Sequence, residues 1–152
     1  MKYTIATVSV LVALVLSLPP TAQADEPRVC VSLSTGLAGA PVVVLDVLAT
    51  YKAPTVYGLN GTASSTQATY PLTEVFYLLS GTAYITTNSA VELSLTGTAE
   101  DAACECVKEV AFHVIFDGTN DRYTQIIRNA KDGSAAVLNG RASVAQTCGK
   151  KK

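Results

Sequence analysis

From about residue 28 onward the chain alternates apolar and polar residues with a period of two. Val91, Leu93, Leu95, Gly97 and Ala99 fall on one side of an extended chain, and Glu92, Ser94, Thr96, Thr98 and Glu100 on the other. Successive side chains of a strand point to opposite faces, so this pattern describes a strand with one dry face and one wet face. Val110, Phe112, Val114 and Phe116 alternate with Glu109, Ala111, His113 and Ile115 in the same way. Past the N-terminal apolar run the sequence predicts no helix, so the fold class is all-β.

Turn signals cut the pattern into pieces. Asp117-Gly118 and Asp132-Gly133 are strong hairpin cues, and Asn88-Ser89 and Ala53-Pro54 mark two further reversals. Eight strands follow, at about 28–34, 41–51, 55–64, 73–87, 90–100, 106–117, 121–130 and 135–147. Longer loops are expected only at 34–40, 64–72 and 101–104. Short connections make sequential neighbours pair antiparallel, as an up-and-down meander.

A second regularity lies inside the strands. Leu59-Asn60-Gly61-Thr62-Ala63, Leu79-Ser80-Gly81-Thr82-Ala83, Leu95-Thr96-Gly97-Thr98-Ala99 and Leu138-Asn139-Gly140-Arg141-Ala142 all read L-x-G-x-A. Leu, Gly and Ala share the inner face, and the intervening polar residues face water. Glycine weakens a strand unless a bend or a close approach requires it. A sheet that closes on itself needs such bends, and closure removes the sheet edges that invite aggregation. The glycines are not evenly spaced, which argues against a solenoid. The expectation is a single antiparallel up-and-down β-barrel of about eight strands, with a two-sheet β-sandwich as the alternative.

The first residues address location. Lys2 precedes an uncharged apolar run from Ile5 to Leu18, then Pro19-Pro20 and the small-x-small site Ala22-Gln23-Ala24. That is the layout of a secretory signal peptide over residues 1–24, cleaved after Ala24. The run is shorter than the ~20 apolar residues a spanning helix needs. Residues 25–152 then form one domain, secreted or periplasmic, with no transmembrane segment in the mature chain. Removing Lys2 leaves ten basic and twelve acidic residues, a net charge of −2. A nucleic-acid surface would need clustered Lys and Arg, and the one cluster, Lys150-Lys151-Lys152, reads as a solvated tail. Asn60-Gly61-Thr62 fits the N-glycosylation pattern, a match short enough to arise by chance.

On the segments "LTGTAED" and "LNGRASV", and over about residues 55–147, the chain resembles calycin-type barrels, the group containing lipocalins and avidins. It is similar also to small secreted bacterial barrel proteins. The resemblance implies a barrel able to hold a small molecule. It does not extend to biotin, because the chain has no tryptophan, and the N-terminal G-x-W of lipocalins is absent.

Four cysteines, Cys30, Cys104, Cys106 and Cys148, in a secreted chain point to disulfides, and their spacing is not that of a zinc site. In a closed meander of eight strands, Cys30 on the first strand and Cys148 after the last meet at one end, on adjacent strands. A Cys30–Cys148 bond would therefore fasten the seam. Cys104 and Cys106 fall at the opposite end, as a possible second pair or as free thiols. A redox switch there is weighed against a plain loop staple, and the staple is the better reading.

Chemistry-bearing groups are sparse. His113 is the single histidine, on one face of its strand with Glu109 and Asp117, and that face is the outer one. The trio reads as a solvated charged stripe. No G-x-S-x-G elbow and no metal-ligating cluster is present, so neither catalytic residues nor a cofactor is expected. By alternation Tyr51, Tyr57, Tyr77, Phe112, Tyr123 and Gln125 point inward, and small neighbours could leave them lining a pocket. Val42, Val44, Leu48, Phe76 and Leu78 point outward, and an interface or homo-oligomer follows if they adjoin. The leading functional expectation is non-enzymatic binding of a small apolar ligand inside the barrel. The alternatives are an interaction protein with a filled barrel and an apolar outer face, and a hydrolase or isomerase acting at the barrel mouth.

Overall fold

In a computed structural model of the chain, which describes residues 28–66, 74–101, 104–145 and 148, eight strands form one closed sheet. They are β1 (Arg28–Ser34), β2 (Val43–Ala53), β3 (Val56–Thr66), β4 (Glu74–Ile85), β5 (Val91–Asp101), β6 (Cys106–Phe116), β7 (Arg122–Asn129) and β8 (Ala135–Val144). Each pairs antiparallel with its sequence neighbour, and β8 returns to pair with β1. Ring closure excludes the open sandwich. Residues 1–24, expected to be a signal peptide, lie outside the described residues.

The alternation decides which face is inside. Val31, Leu33, Leu45, Val47, Ala63 and Val114 expose no surface at all, and Leu59, Leu93 and Leu95 almost none. A slip of β5 by one residue would turn Val91, Leu93 and Leu95 outward, at about 1.5–3 kcal/mol each. The register Gly81↔Leu95, Ala83↔Leu93 is therefore pinned by burial. The Asp-Gly turns fall where expected, with Gly118 and Gly133 at φ of 79° and 74°, a region that L side chains avoid.

The four repeated glycines have a sharper cause than a tapering interior. A Cβ on Gly61, Gly81 or Gly140 would lie 2.7–2.8 Å from the Cα of a residue in the adjoining chain, namely Val47, Leu95 or Thr35. On Gly97 it would meet Leu79 Cδ2 at 2.7 Å. Each would also overlap the carbonyl oxygen of the residue before that neighbour, Asp46, Ser94, Ser34 or, for Gly97, Leu78. The sheet coils so tightly at these points that adjacent backbones occupy the side chain's space.

The closing ladder is short. Paired residues run from Val31↔Val144 to Ser34↔Arg141, whereas β3 and β4 pair from Val56↔Tyr84 to Thr66↔Glu74. A disulfide joins Cys30 to Cys148 across this seam, with Cα atoms 5.1 Å apart. The Ala145 N–H donates to the Cys30 carbonyl alongside it. Cys104 and Cys106 bond to each other in the β5–β6 turn at the other end, with Glu105 between them at φ 50°.

Candidate functional site

Gln125 is the one buried polar side chain among the described residues, 1% exposed. It sits on the inner face of β7 between Tyr123 and Ile127. Its cross-strand neighbours are Phe112 on β6 and Leu138 on β8. Its Oε1 has no hydrogen-bond partner. Burying an amide without compensation costs about 1–3 kcal/mol on protein scales. Apolar neighbours on both sides cannot offset that. No charged side chain is buried with it.

The aromatic residues expected inside do not converge on one place. Phe112 stands beside Gln125 and is buried, and Tyr123 lies two residues along the same face. Tyr57 is buried at the end of the barrel that carries the β2–β3 turn, and Tyr77 lies at the opposite end. Burial raises the phenol pKa of Tyr57, Tyr77 and Tyr123, with Asp101 adding to the effect at Tyr77. All three thus stay neutral.

Tyr51 corrects the expectation: it is 62% exposed. It shares the inner parity of Val47 and Ala49. The β1 ladder, however, begins at Arg28↔Leu48, so among the described residues this part of β2 has no β1 neighbour. An irregularity between Tyr51 and Ala53 bends the strand further. The Tyr51 ring packs edge-on against Tyr57, with centroids 5.9 Å apart, and caps the rim rather than lining the interior.

The wall has a notch at the level of Gln125. Pairing of β1 with β8 stops at Ser34↔Arg141, so Ala135 to Asn139 have no strand on that side. Ala136 and Leu138 share the inward parity of the buried Ala142, yet Ala136 is exposed and Leu138 is half-buried. Continuing the β1 register would put Leu37 beside Leu138. Instead Leu37 belongs to the loop between β1 and β2 and is 73% exposed. Sequence reasoning named Gln125 but not Leu138 or the notch. The signal was there in the unequal lengths of the first and last strands.

The outer face carries no assembled chemistry. His113 Nε2 lies 3.6 Å from Glu92, Glu109 pairs with Arg128, and Asp117 pairs with Arg122. The expected apolar patch is broken. Val44 and Leu48 on β2 are separated from β4 by the polar outer residues Asn60 and Ser64 of β3. Leu78 stands 74% exposed beside Thr62 and Thr98; the Phe76 side chain is outside the described residues. A different apolar row runs across Ala111, Ile126 and Val137. Beside it an open groove of about 420 Å³ lies over Gly97, floored by Ala111 and Ile126 and flanked by Glu109 and Arg128. Cys30, Asp46 and Cys148 cluster within 4.8 Å. Their donors are already engaged, the sulfurs in the disulfide and the carboxylate by Arg28.

These features define a closed, antiparallel eight-stranded barrel with one orphaned amide oxygen inside an apolar wall that is notched beside it. The chain belongs to the family described as a domain of unknown function, DUF1842, whose model matches residues 28–124. The match covers β1 to the first part of β7, and stops just before Gln125. No curated protein matches the chain.

Proposed function

We propose that this protein is a non-enzymatic binder of a small, largely apolar molecule, held in the barrel on the β6–β8 side. The buried side chain of Gln125, whose oxygen has no partner, carries this reading. An uncompensated amide in an apolar interior is a standing penalty, and a ligand's polar group would remove it. Phe112, Leu138 and Ile127 supply the apolar surroundings. On the β1–β3 side Val31, Leu33, Leu45, Val47 and Ala63 are fully buried and all apolar, with no polar group for a ligand to satisfy. The signal-peptide layout and the paired cysteines support a protein working in the periplasm or outside the cell. Native mass spectrometry of protein taken from its own host tests both points. A retained small molecule and a mature chain beginning at Asp25 are expected; bare protein would count against the binding reading.

A second reading is an interaction protein. It is favoured by the outer row Ala111–Ile126–Val137 and the groove beside it. Light scattering at rising concentration, on wild type and Ile126→Lys, tests it. Association lost in the variant supports an interface, and a monomer throughout removes its homo-oligomeric form.

A further inference from the structure

We infer that the notch between β8 and the β1–β2 loop is the way into the barrel. The ligand it admits carries an uncharged head offering a hydrogen-bond donor, as a primary amide does. This rests on the ligand-binding reading above and specifies its chemistry and its route.

Three observations combine. The first is register. The β1–β8 ladder ends at Ser34↔Arg141, and Gln125 pairs with Leu138, three residues further along β8. The gap in the wall therefore stands next to the orphaned amide, with only Leu138 between them. The second is exposure. Ala136 and Leu138 face inward by parity and still reach solvent, whereas Ala142, where β1 is present, is 6% exposed. Where the strands are paired, a molecule passing through the wall would have to break ladder bonds. At the notch it would break none.

The third observation is the polarity of the interior. A primary amide such as Gln125 offers an N–H₂ donor and a carbonyl acceptor on one planar edge. Its oxygen is the atom left without a partner, so a ligand has to present it with a donor. The described residues bury no Lys, Arg or His near Gln125 to balance a charge. An ionised carboxylate would also supply acceptors only, leaving the Gln125 oxygen unsatisfied. An ester would do the same. The head group is thus neutral and carries a donor, as an amide does, and the remainder of the molecule is apolar to match Phe112 and Leu138.

The test uses three probes with the same carbon chain: hexanamide, methyl hexanoate, and hexanoate at pH 8. Affinities are measured by calorimetry or protein-observed NMR. On wild type, hexanamide should bind at least about tenfold tighter than either other probe, as one additional satisfied hydrogen-bond pair implies. In Gln125→Leu the preference for the amide should vanish while the ester still binds. In Leu138→Trp, and separately in Ala136→Trp, a bulky ring at the notch should slow hexanamide association at least tenfold. Two plug variants guard against one failing to fold, and circular dichroism confirms folding. Equal binding of amide and ester to wild type, or an amide preference that survives Gln125→Leu, overturns the head-group assignment. Unchanged association rates in both folded plug variants overturn the route. If none of the probes binds wild type and host-derived protein is also bare, the binding reading itself falls.

Discussion

Replacing Gly81 with alanine is the most direct probe of why the barrel closes. Gly81 faces Leu95 across the β4–β5 ladder, and a Cβ there would sit 2.8 Å from the Leu95 Cα and 2.9 Å from the Ser94 carbonyl carbon. The obstacle is backbone on a paired strand, so no side-chain rotation relieves it. Reaching ordinary contact near 3.6 Å needs a local separation of almost 1 Å, enough to spoil the adjacent ladder hydrogen bonds. Overpacking costs about 1–3 kcal/mol, and two weakened bonds add about 0.5–1.5 kcal/mol each. Reduced freedom of the unfolded chain returns about 0.4–1 kcal/mol. The net is a loss of about 3 kcal/mol, or roughly 10 °C in Tm for a domain of this size. Gly58→Ala is the matched control: its Cβ would meet only the Lys52 side chain, with Cε at 2.8 Å. That chain is flexible and can swing aside, so Gly58→Ala should stay within about 1 kcal/mol of wild type. Thermal and urea melts of oxidised protein measure both. If Gly81→Ala melts within 2 °C of wild type, the close-approach explanation of the L-x-G-x-A repeat is wrong.

The other expectations are as follows. Gln125→Leu removes an orphaned amide and should raise the stability of ligand-free protein by about 1–3 kcal/mol; a melt showing a loss instead would mean that the amide is already satisfied. The Cys30–Cys148 bond closes a sequence separation of 118 and the Cys104–Cys106 bond one of 2. By loop entropy, converting the first pair to serine should cost about 5 kcal/mol and the second about 1.5 kcal/mol, read from urea midpoints. Asp117 is held down to about 2 by the backbone N–H groups of Asn120 and Thr119 and by Arg122. A carboxylate depressed on folding contributes stability above its unfolded pKa and loses it as pH falls through the folded value. Stability from this group should thus be flat from pH 7 to about pH 4 and decline toward pH 2, and Asp117→Asn should flatten that limb of a pH-dependent melt.

The strands were legible because burial on one face writes a period of two into the residues. All eight structural strands overlap the eight read from the sequence, with differences at their ends of a few residues. The glycines were legible as folding devices, though their cause was not: alternation places Gly81 inward but cannot show that Leu95 backbone stands there. Tyr51 shows the limit of parity. It has the inward phase, yet inwardness also needs a strand on the far side, and none of the described residues of β1 pairs beyond Leu48. Whether the outer apolar residues adjoin was beyond the sequence for a related reason. Val44, Leu48 and Leu78 were read strand by strand, and β3 interposes Asn60, Thr62 and Ser64 between them.

By itself the sequence determined the class, the number of strands, the order of pairing and the buried face, because each follows from local alternation and short turns. The tertiary structure decided what depends on register around the whole ring. It set where β1 runs out along β8, which inward residues are truly enclosed, and that Phe112 and Gln125 meet while Tyr57 and Tyr77 lie at opposite ends. Register between the first and last strands is fixed by closure, a constraint that no local stretch of sequence contains. The notch beside Gln125 is its product.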